Sequence, residues 1–309
     1  AARTLTAKHS STYPKKISRE FAVDIGWQKT KPNTPTSKET PPKPGAAKLA
    51  ILNDQLKWNR ATKLQQDAII YAVTKHLGTD YKWIGTNEYQ CQGQKCRIAT
   101  FEHLKSGALL NLIPGGRYQM GSDSGAADEK PVHKTTVKAM LVGKYELRQA
   151  CWDRVGGEDK RSWTGPDLPV EGASWSEVQN WLGKAGAGLR LPSEAEWEYA
   201  CRSPISQKSN SKYFWGQKIN PAYCWYSDNS GAKTHAVTAH EKQTNGFGLV
   251  DTSGSVWEWC QDNWIGNYQS GPANHKPRST ISNPNRVVRG GSWSLDSEEA
   301  RSANRMSCS

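Results

Sequence analysis

Tryptophan is concentrated in the second half of this chain, and its distribution limits what the chain can fold into. Eleven of the fourteen tryptophans lie between residues 152 and 293. From residue 202 onward Gly, Asn, Ser and Pro are frequent and hydrophobic periodicity is weak, which predicts ordered coil with short strands. In such a region indole rings supply buried apolar area, and their N–H groups tie down loops. We therefore expect an irregular, coil-rich α+β fold.

Two helix starts are marked by capping boxes. Ser174 precedes Glu177 by three residues, and Ser193 precedes Glu196 by the same spacing. In this arrangement each side chain satisfies a backbone amide at the helix start. We predict a helix after each serine.

A third helix is predicted between Asn59, as its N-terminal cap, and Gly78, as its stop. Spacings of three and four residues predict its buried apolar positions: Leu64, Ala68, Tyr71 and Ala72. Residues 81–113 then alternate short apolar runs with Gly- and Ser-bearing turns, which is typical of a small antiparallel unit.

The chain divides into three predicted segments. Residues 1–49 carry ten Lys or Arg against three acidic residues, a net +7 of the total +12, and five prolines lie between residues 30 and 44. This composition predicts a flexible basic leader and linker. Residues 50–105 form a predicted small α/β subdomain that packs on the main domain, residues 106–309, because fewer than about 60 residues seldom build a robust core.

Several function classes are excluded by absent features. The basic leader shows no recognisable nucleic-acid-binding fold, so we expect no specific nucleic-acid partner. No apolar run approaches the roughly 18 residues of a membrane span. The sequence also lacks a P-loop, a dinucleotide fingerprint, a nucleophile elbow and a His-Glu-x-x-His motif, which argues against the common enzymes that carry them.

Seven cysteines are present, and Cys91 and Cys96 are close enough in sequence for a hairpin disulfide. That pairing predicts an oxidising, extracytoplasmic location, whether periplasmic, cell-surface or secreted. A zinc site is less favoured because a second close cysteine pair is missing.

A series of short blocks from residue 113 onward occurs in a recognisable order. The most distinctive read Arg-Leu-Pro-Ser-Glu-Ala-Glu-Trp-Glu-Tyr-Ala at 190–200, Val-Trp-Glu-Trp at 256–259 and Gly-Gly-Ser-Trp at 290–293. Together they resemble the formylglycine-generating-enzyme, or sulfatase-modifying-factor, family. The resemblance implies a coil-rich fold related to C-type lectins.

The copper-dependent members of that family carry two catalytic cysteines shortly after the Gly-Gly-Ser-aromatic block. The corresponding positions here are Leu295 and Ala300. Neither residue can bind copper as a thiolate, so we expect no copper and favour a chain that is not an enzyme.

The resemblance also implies a structural calcium ion. Its ligands would be the side chains of Asp251 and Glu258 and the carbonyls of Gly254 and Val256. Oxygen donors of this kind suit calcium. The alternative is that the two carboxylates cap local backbone amides. His235 and His240, flanked by Thr and Ala, are predicted to be surface loop residues.

Two functional hypotheses follow. In the first, the chain is a ligand-binding module whose contacts lie on the C-terminal turns: Trp293, Ser294, Leu295, Asp296, Ser297, Glu298, Asn304 and Met306. The ligand would be a protein or a glycan, and the sequence ranks neither; it also leaves the oligomeric state open. The same framework resembles variable proteins that are diversified by retroelements.

In the second hypothesis the chain is an oxidase or another enzyme of the family with a non-cysteine site. The candidate residues are Asp296, Glu298, Arg301 and Arg305. Surface salt bridges explain these four side chains equally well.

Overall fold

The computed structural model describes residues 22–24, 50–91, 94–204, 211–269, 274–280 and 283–309. After helical residues 50–52 come five helices: α1 Gln55–Arg60, α2 Lys63–Leu77, α3 Gln149–Arg154, α4 Trp175–Ala185 and α5 Glu194–Arg202. The strands are β1 Ala22–Asp24, β2 Tyr81–Cys91, β3 Gln94–His103, β4 Ala108–Ile113, β5 Gly116–Met120, β6 His133–Val137, β7 Met140–Gly143, β8 Leu189–Arg190, β9 Glu258–Asn263, β10 Arg286–Arg289 and β11 Met306–Cys308.

Three separate sheets organise the strands. The largest has the order β2-β3-β4-β7-β1-β8, a second has the order β11-β10-β9, and β5 pairs with β6. Between residues 211 and 256 the chain contains no helix and no strand beyond an isolated bridge. The predicted coil-rich α+β fold is confirmed.

The first strand lies inside the range predicted to be a flexible leader. Ala22–Asp24 pairs antiparallel with β7 on one side and with β8 on the other. Without β1, the backbone groups along that side of β7 would lose their sheet partners. The rest of the predicted leader, residues 1–21 and 25–49, lies outside the described residues.

The predicted boundary between residues 105 and 106 falls in the turn from β3 to β4. These two strands pair from Ala99 opposite Leu112 to His103 opposite Ala108. Their buried side chains join one hydrophobic cluster with those of β7 and α4. The boundary therefore divides a continuous sheet, and the segment 50–105 shares its core with the remainder.

The predicted N-terminal helix differs from the structure in its start and in its buried face. Asn59 belongs to α1, and Thr62 caps α2 through a capping box with Gln65. The buried side chains are Gln66, Ile69, Ile70 and Val73, whereas Leu64 and Tyr71 are 80% and 58% exposed. Apolar residues occur on both faces of α2, so periodicity alone allowed two solutions, and the face with the β-branched side chains packs inward. The end of the helix at Gly78 is confirmed.

The two predicted capping boxes are both present. Ser174 caps α4 together with Glu177, and Ser193 caps α5 together with Glu196. Every residue of α5 is buried, including three glutamates. This helix therefore needs buried cationic partners.

Glu196 pairs with Arg190 of β8, and the main partners of Glu194 and Glu198 come from β10 and the C-terminal segment. Arg289, fully buried, donates to Glu198 and to the carbonyls of Ala303 and Asn304 at 2.8 and 2.7 Å. Arg305 donates to both carboxylate oxygens of Glu194, at 2.5 and 2.8 Å. These ion pairs fix α5 against the segment that follows β10.

The predicted disulfide between Cys91 and Cys96 is not formed, since Cys96 is a free, buried thiol. In the register of the hairpin Cys96 lies opposite Tyr89 and Cys91 lies opposite Gln94. The two cysteines are thus diagonal, farther apart than the Cβ atoms of a disulfide. Burial raises the pKa of the Cys96 thiol to about 12. The side chain of Cys91 lies outside the described residues, and the extracytoplasmic location stays a prediction.

Among the described helices, none has the length and apolar character needed to cross a membrane.

Candidate functional site

The candidate surface begins at a sharp turn after β10. Gly290 and Gly291 have φ values of +97° and +80°. A Cβ atom on Gly291 would lie 2.8 Å from the carbonyl oxygen of Glu299. Gly291 thus combines a positive φ with a lack of room for a side chain, and only glycine allows both without a shift of the chain. The turn therefore fixes the direction of the segment that follows.

Six of the predicted binding residues form one partly exposed segment. Asp296 and Glu298 are exposed, and four neighbours are half-buried: Trp293, Ser294, Leu295 and Ser297. Asp296 caps the short 3₁₀ helix Ser297–Ala300 by accepting from the amide of Glu298 at 2.9 Å. We call residues 293–298 the C-terminal turn.

The other two predicted binding residues occupy different places. Asn304 is buried and donates to the side chain and carbonyl of Glu299, at 2.7 and 3.0 Å, so it braces the C-terminal turn. Met306 is half-buried on β11 and packs on the core. The structure therefore assigns Asn304 a supporting position rather than an exposed one.

The coil that precedes the C-terminal turn in sequence also holds it. Ser227 donates its amide to the carbonyl of Leu295 at 2.8 Å, and the Ser230 hydroxyl donates to the carbonyl of Trp293 at 2.8 Å. The Tyr213 hydroxyl donates to the carbonyl of Ser297 at 2.9 Å. Three bonds to alternate carbonyls, those of residues 293, 295 and 297, give this irregular segment a defined shape.

Sequence reasoning missed Trp163. Its ring meets that of Trp293 edge to face, with centroids 5.2 Å apart and an interplanar angle of 88°. The loop that carries Trp163 is fixed by the buried Glu171, which accepts from the amides of Ser162 and Trp163. The sequence contained only the generic signal of a tryptophan beside polar and glycine residues.

Further aromatic rings adjoin the C-terminal turn. Trp215 stacks on Tyr213 and on Tyr223, with centroid distances of 4.8 and 5.1 Å. Trp215 and Tyr223 are half-buried, so part of each ring faces solvent. Half-exposed rings of this kind are suited to contacts with apolar and hydrogen-bonding groups of a ligand.

The positions that correspond to the family's catalytic cysteines carry no reactive group. Leu295 is half-buried and packs on the core, and Ala300 is 1% exposed. Cys308 lies on β11, away from both positions in the chain. Cys201 and Cys224 are buried, and burial raises the pKa of the Cys224 thiol to about 12.

The four residues considered for a non-cysteine enzyme site are engaged in the structure. Arg301 makes a bidentate ion pair with the buried Glu129, at 2.7 and 2.9 Å. Arg305 is buried against Glu194, as described above. Asp296 is a helix cap, and the exposed Glu298 pairs with Lys212 at 2.8 Å. These contacts give each of the four side chains a structural role.

The predicted calcium ligands lie on a loop with unusual backbone geometry, residues 251–258, which we call the cation loop. Asp251, Gly254 and Ser255 all have left-handed φ values, of 51°, 77° and 58°. The buried Glu146 accepts from the amide of Val256 at 3.1 Å and from the Ser255 hydroxyl at 2.9 Å. Glu146 therefore holds the loop in a conformation that non-glycine residues rarely adopt.

The donor set of the cation loop fits a hard cation. Asp251 is 2% exposed, and its Oδ2 is buried without a hydrogen-bond partner. The hydroxyl oxygens of Thr252 and Ser253 are also buried and unpartnered. Buried oxygens are normally satisfied by protein, water or an ion. The described residues contain no group of three His, Cys, Asp or Glu side chains in a metal-binding arrangement, so a cation would depend on the carbonyls of Gly254 and Val256 as well.

The two histidines predicted to be surface residues lie instead beside this loop. Both are half-buried, and both rings stack on Trp225, His235 at 3.7 Å and His240 at 4.5 Å between centroids. Nδ1 of His240 lies 2.8 Å from Oδ1 of Asp251.

Comparison with known proteins identifies the family of this chain. Residues 99–309 match the family described as the sulfatase-modifying factor enzyme 1-like domain. The chain belongs to this family. The resemblance read from the sequence blocks is confirmed, and the turns described above are parts of its fold.

Two curated relatives show how far the similarity extends. The formylglycine-generating enzyme of Streptomyces coelicolor is 34% identical over 158 residues, which are 48% of this chain and 49% of that protein. The serine/threonine-protein kinase pkn1 of Chlamydia caviae is 28% identical over 226 residues, 63% of this chain and 34% of that protein. The chain thus spans about half of the length of the first of these relatives and about a third of the second.

Two solved structures share the fold. PvdO from Pseudomonas aeruginosa aligns with a TM-score of 0.58 at 23% identity, over 68% of this chain and 92% of that one. Treponema denticola variable protein 1 aligns with a TM-score of 0.55 at 23% identity, over 73% and 94%. At this level of identity the alignments show a common fold.

Proposed function

We propose that this member of the sulfatase-modifying factor family is a non-catalytic binding module that contacts its ligand through the C-terminal turn and Trp163. The observation that carries the proposal is the pair of side chains at the cysteine positions, Leu295 and Ala300, which cannot bind copper. The scaffold that surrounds them is intact. A scaffold that keeps its fold without its reactive thiols still presents a shaped surface.

The chemistry of the surface supports a protein or a glycan as ligand. Half-buried rings at Trp163, Trp215 and Trp293 offer apolar area, while Asp296 and Glu298 offer hydrogen-bond acceptors. Aromatic side chains in such positions commonly dominate binding energy.

The shared fold with Treponema denticola variable protein 1 also supports diversification of the segment 294–307. Sequencing sibling genes from the same source tests this point. Differences confined to this segment support it, and identical copies contradict it.

An enzyme with a non-cysteine site is the second candidate. The observation that favours it is the 34% identity to a protein named formylglycine-generating enzyme. The ion pairs of Arg301 and Arg305 weigh against it, because both side chains are already engaged with buried carboxylates.

We also propose that the cation loop binds calcium. The unpartnered Oδ2 of Asp251 and the left-handed backbone at three loop positions support this assignment. A bound cation would supply charge neutralisation and rigidity to the loop.

The decisive experiment compares this chain with the Streptomyces coelicolor enzyme. Each is loaded with copper and given oxygen and a peptide with a Cys-x-Pro-x-Arg sequence, and mass spectrometry follows conversion of cysteine to aldehyde. We expect conversion by the control and none by this chain. Conversion by this chain would overturn the binding-module proposal.

Binding itself is tested on a glycan array and on a peptide library. We expect Trp293→Ala and Trp163→Ala to reduce any signal about tenfold or more, since hot-spot aromatics contribute about 2 kcal/mol each. The exposed Tyr71→Ala, on α2, serves as the matched aromatic control.

A further inference from the structure

Three groups form a chain of contacts that ends at the first residue of the cation loop: Trp225, His240 and Asp251. The ring of His240 stacks on Trp225, with an interplanar angle of 20°, and its Nδ1 lies 2.8 Å from Oδ1 of Asp251. The side chains of His240 and Asp251 are only 10% and 2% exposed. The contact is therefore built into the protein and is not a chance surface encounter.

The consequence for Asp251 is an asymmetric carboxylate. Oδ1 is taken by the imidazole, whereas Oδ2 is buried without a partner. A carboxylate held at one oxygen by a hydrogen-bond donor presents its other oxygen in a fixed direction. Removal of a group that holds a metal ligand in this way typically lowers the metal affinity by about 10- to 100-fold.

Trp225 fixes both ends of this arrangement. Its ring supports His240, and its carbonyl accepts from the amide of Ser255, within the cation loop, at 2.8 Å. The same carbonyl lies so close to Gly254 that a side chain there has no room. The coil around Trp225 and the cation loop are therefore joined by direct backbone contacts.

We infer that His240 is a positioning residue for the cation loop: it orients Asp251 so that Oδ2 faces the bound calcium ion. The inference rests on the calcium proposal above. His240 is not itself a ligand in this assignment, and Trp225 sets the orientation of its ring.

The cation loop also connects the cation to the candidate surface. The amide of Gly254 donates to the carbonyl of Gly290 at 2.7 Å, and the amide of Trp293 donates to the carbonyl of Ser255 at 2.7 Å. Order imposed on the cation loop is thereby passed to the start of the C-terminal turn. Calcium should slow amide hydrogen exchange in residues 290–298.

The test measures calcium affinity by titration calorimetry on the full chain after removal of metal with a chelator. His240→Ala removes the donor, and we expect calcium affinity to fall about 10- to 100-fold. His240→Asn places an amide N–H where Nδ1 stood but lacks the ring, and we expect affinity close to that of the parent. The control is His235→Ala. This variant also removes an imidazole ring that stacks on Trp225, but it leaves the contact with Asp251 in place.

The outcomes separate the two claims. Absence of calcium binding by the parent chain overturns the calcium proposal and the role of His240 together. Binding by the parent with unchanged or increased affinity in His240→Ala overturns only the positioning role, since a purely structural contact would alter the thermal stability of the metal-free protein and not its affinity. Equal loss in His235→Ala would attribute the effect to ring stacking and would also contradict the inference.

Discussion

Trp163 and Trp293 are 130 residues apart in sequence, yet their rings meet edge to face at 5.2 Å. Such pairs contribute about 0.5–1.5 kcal/mol beyond the area they bury. We therefore predict a coupling free energy of about 1 kcal/mol between Trp163→Ala and Trp293→Ala. Urea unfolding of both single variants and the double variant measures it. Additive losses would show that the two rings do not interact in solution.

Arg289 is predicted to be among the most sensitive positions in the chain. It is fully buried between Glu194 and Glu198, so Arg289→Met would leave buried carboxylates without a counter-charge. Loss of one partner from a buried ion pair typically costs about 3–5 kcal/mol. The exposed pair of Lys57 and Asp54 provides the control, and Lys57→Ala should cost less than about 1 kcal/mol. Urea unfolding measures the free energy of unfolding of both variants. Losses of similar size would contradict the assignment of Arg289 as the buried counter-charge.

Gly291 and Gly188 offer a matched comparison of steric cost. Their φ values are nearly the same, +80° and +74°, but a Cβ atom would meet the Glu299 carbonyl at Gly291 and nothing within 4 Å at Gly188. Gly188→Ala should cost about 1–2 kcal/mol for the left-handed backbone alone. We expect Gly291→Ala to cost more, as judged by urea unfolding, and to disturb the C-terminal turn, as judged by faster amide hydrogen exchange in residues 293–298. Equal costs would mean that the turn moves aside freely.

Local rules predicted local structure well in this chain. The capping boxes at Ser174 and Ser193 mark true helix starts, because four consecutive residues contain the whole interaction. The buried face of α2 was mispredicted because apolar side chains occur on both faces, and only tertiary packing, such as that against β2, distinguishes Ile69 from Leu64. Strand β1 escaped detection for a similar reason, since three residues acquire strand structure only from their partners.

The candidate site shows the same contrast between local features and long-range contacts. Contiguous residues such as Trp293–Glu298 and Asp251–Glu258 could be located from sequence blocks. Trp163 and His240 could not, because each reaches its site from a separate coil segment and carries no local signal. Long-range contacts between coil segments depend on the whole fold, and no periodicity in the sequence predicts them.

His103 makes the free energy of unfolding depend on pH in the mildly acidic range. It is fully buried on β3, Nδ1 lies 2.8 Å from the Ser106 hydroxyl, and Nε2 is buried without a partner. Burial, the main cause, lowers the pKa of this imidazole to about 4, whereas an unfolded histidine titrates near pH 6.5. The unfolded chain therefore binds a proton that the folded chain excludes, and stability is lost as pH falls from about 6.5 to about 4.

The size of that loss is limited to about 1.4 kcal/mol per pH unit for one proton. His103→Gln should remove this contribution, so that the free energy of unfolding declines less steeply between pH 6.5 and pH 4 than in the parent. His76→Gln, which removes a histidine at an exposed position of α2, provides the comparison. Urea unfolding at several pH values gives both slopes. If His103→Gln and the parent decline in parallel, then the imidazole takes up its proton in the folded state, and the region around β3 must open to water to allow it.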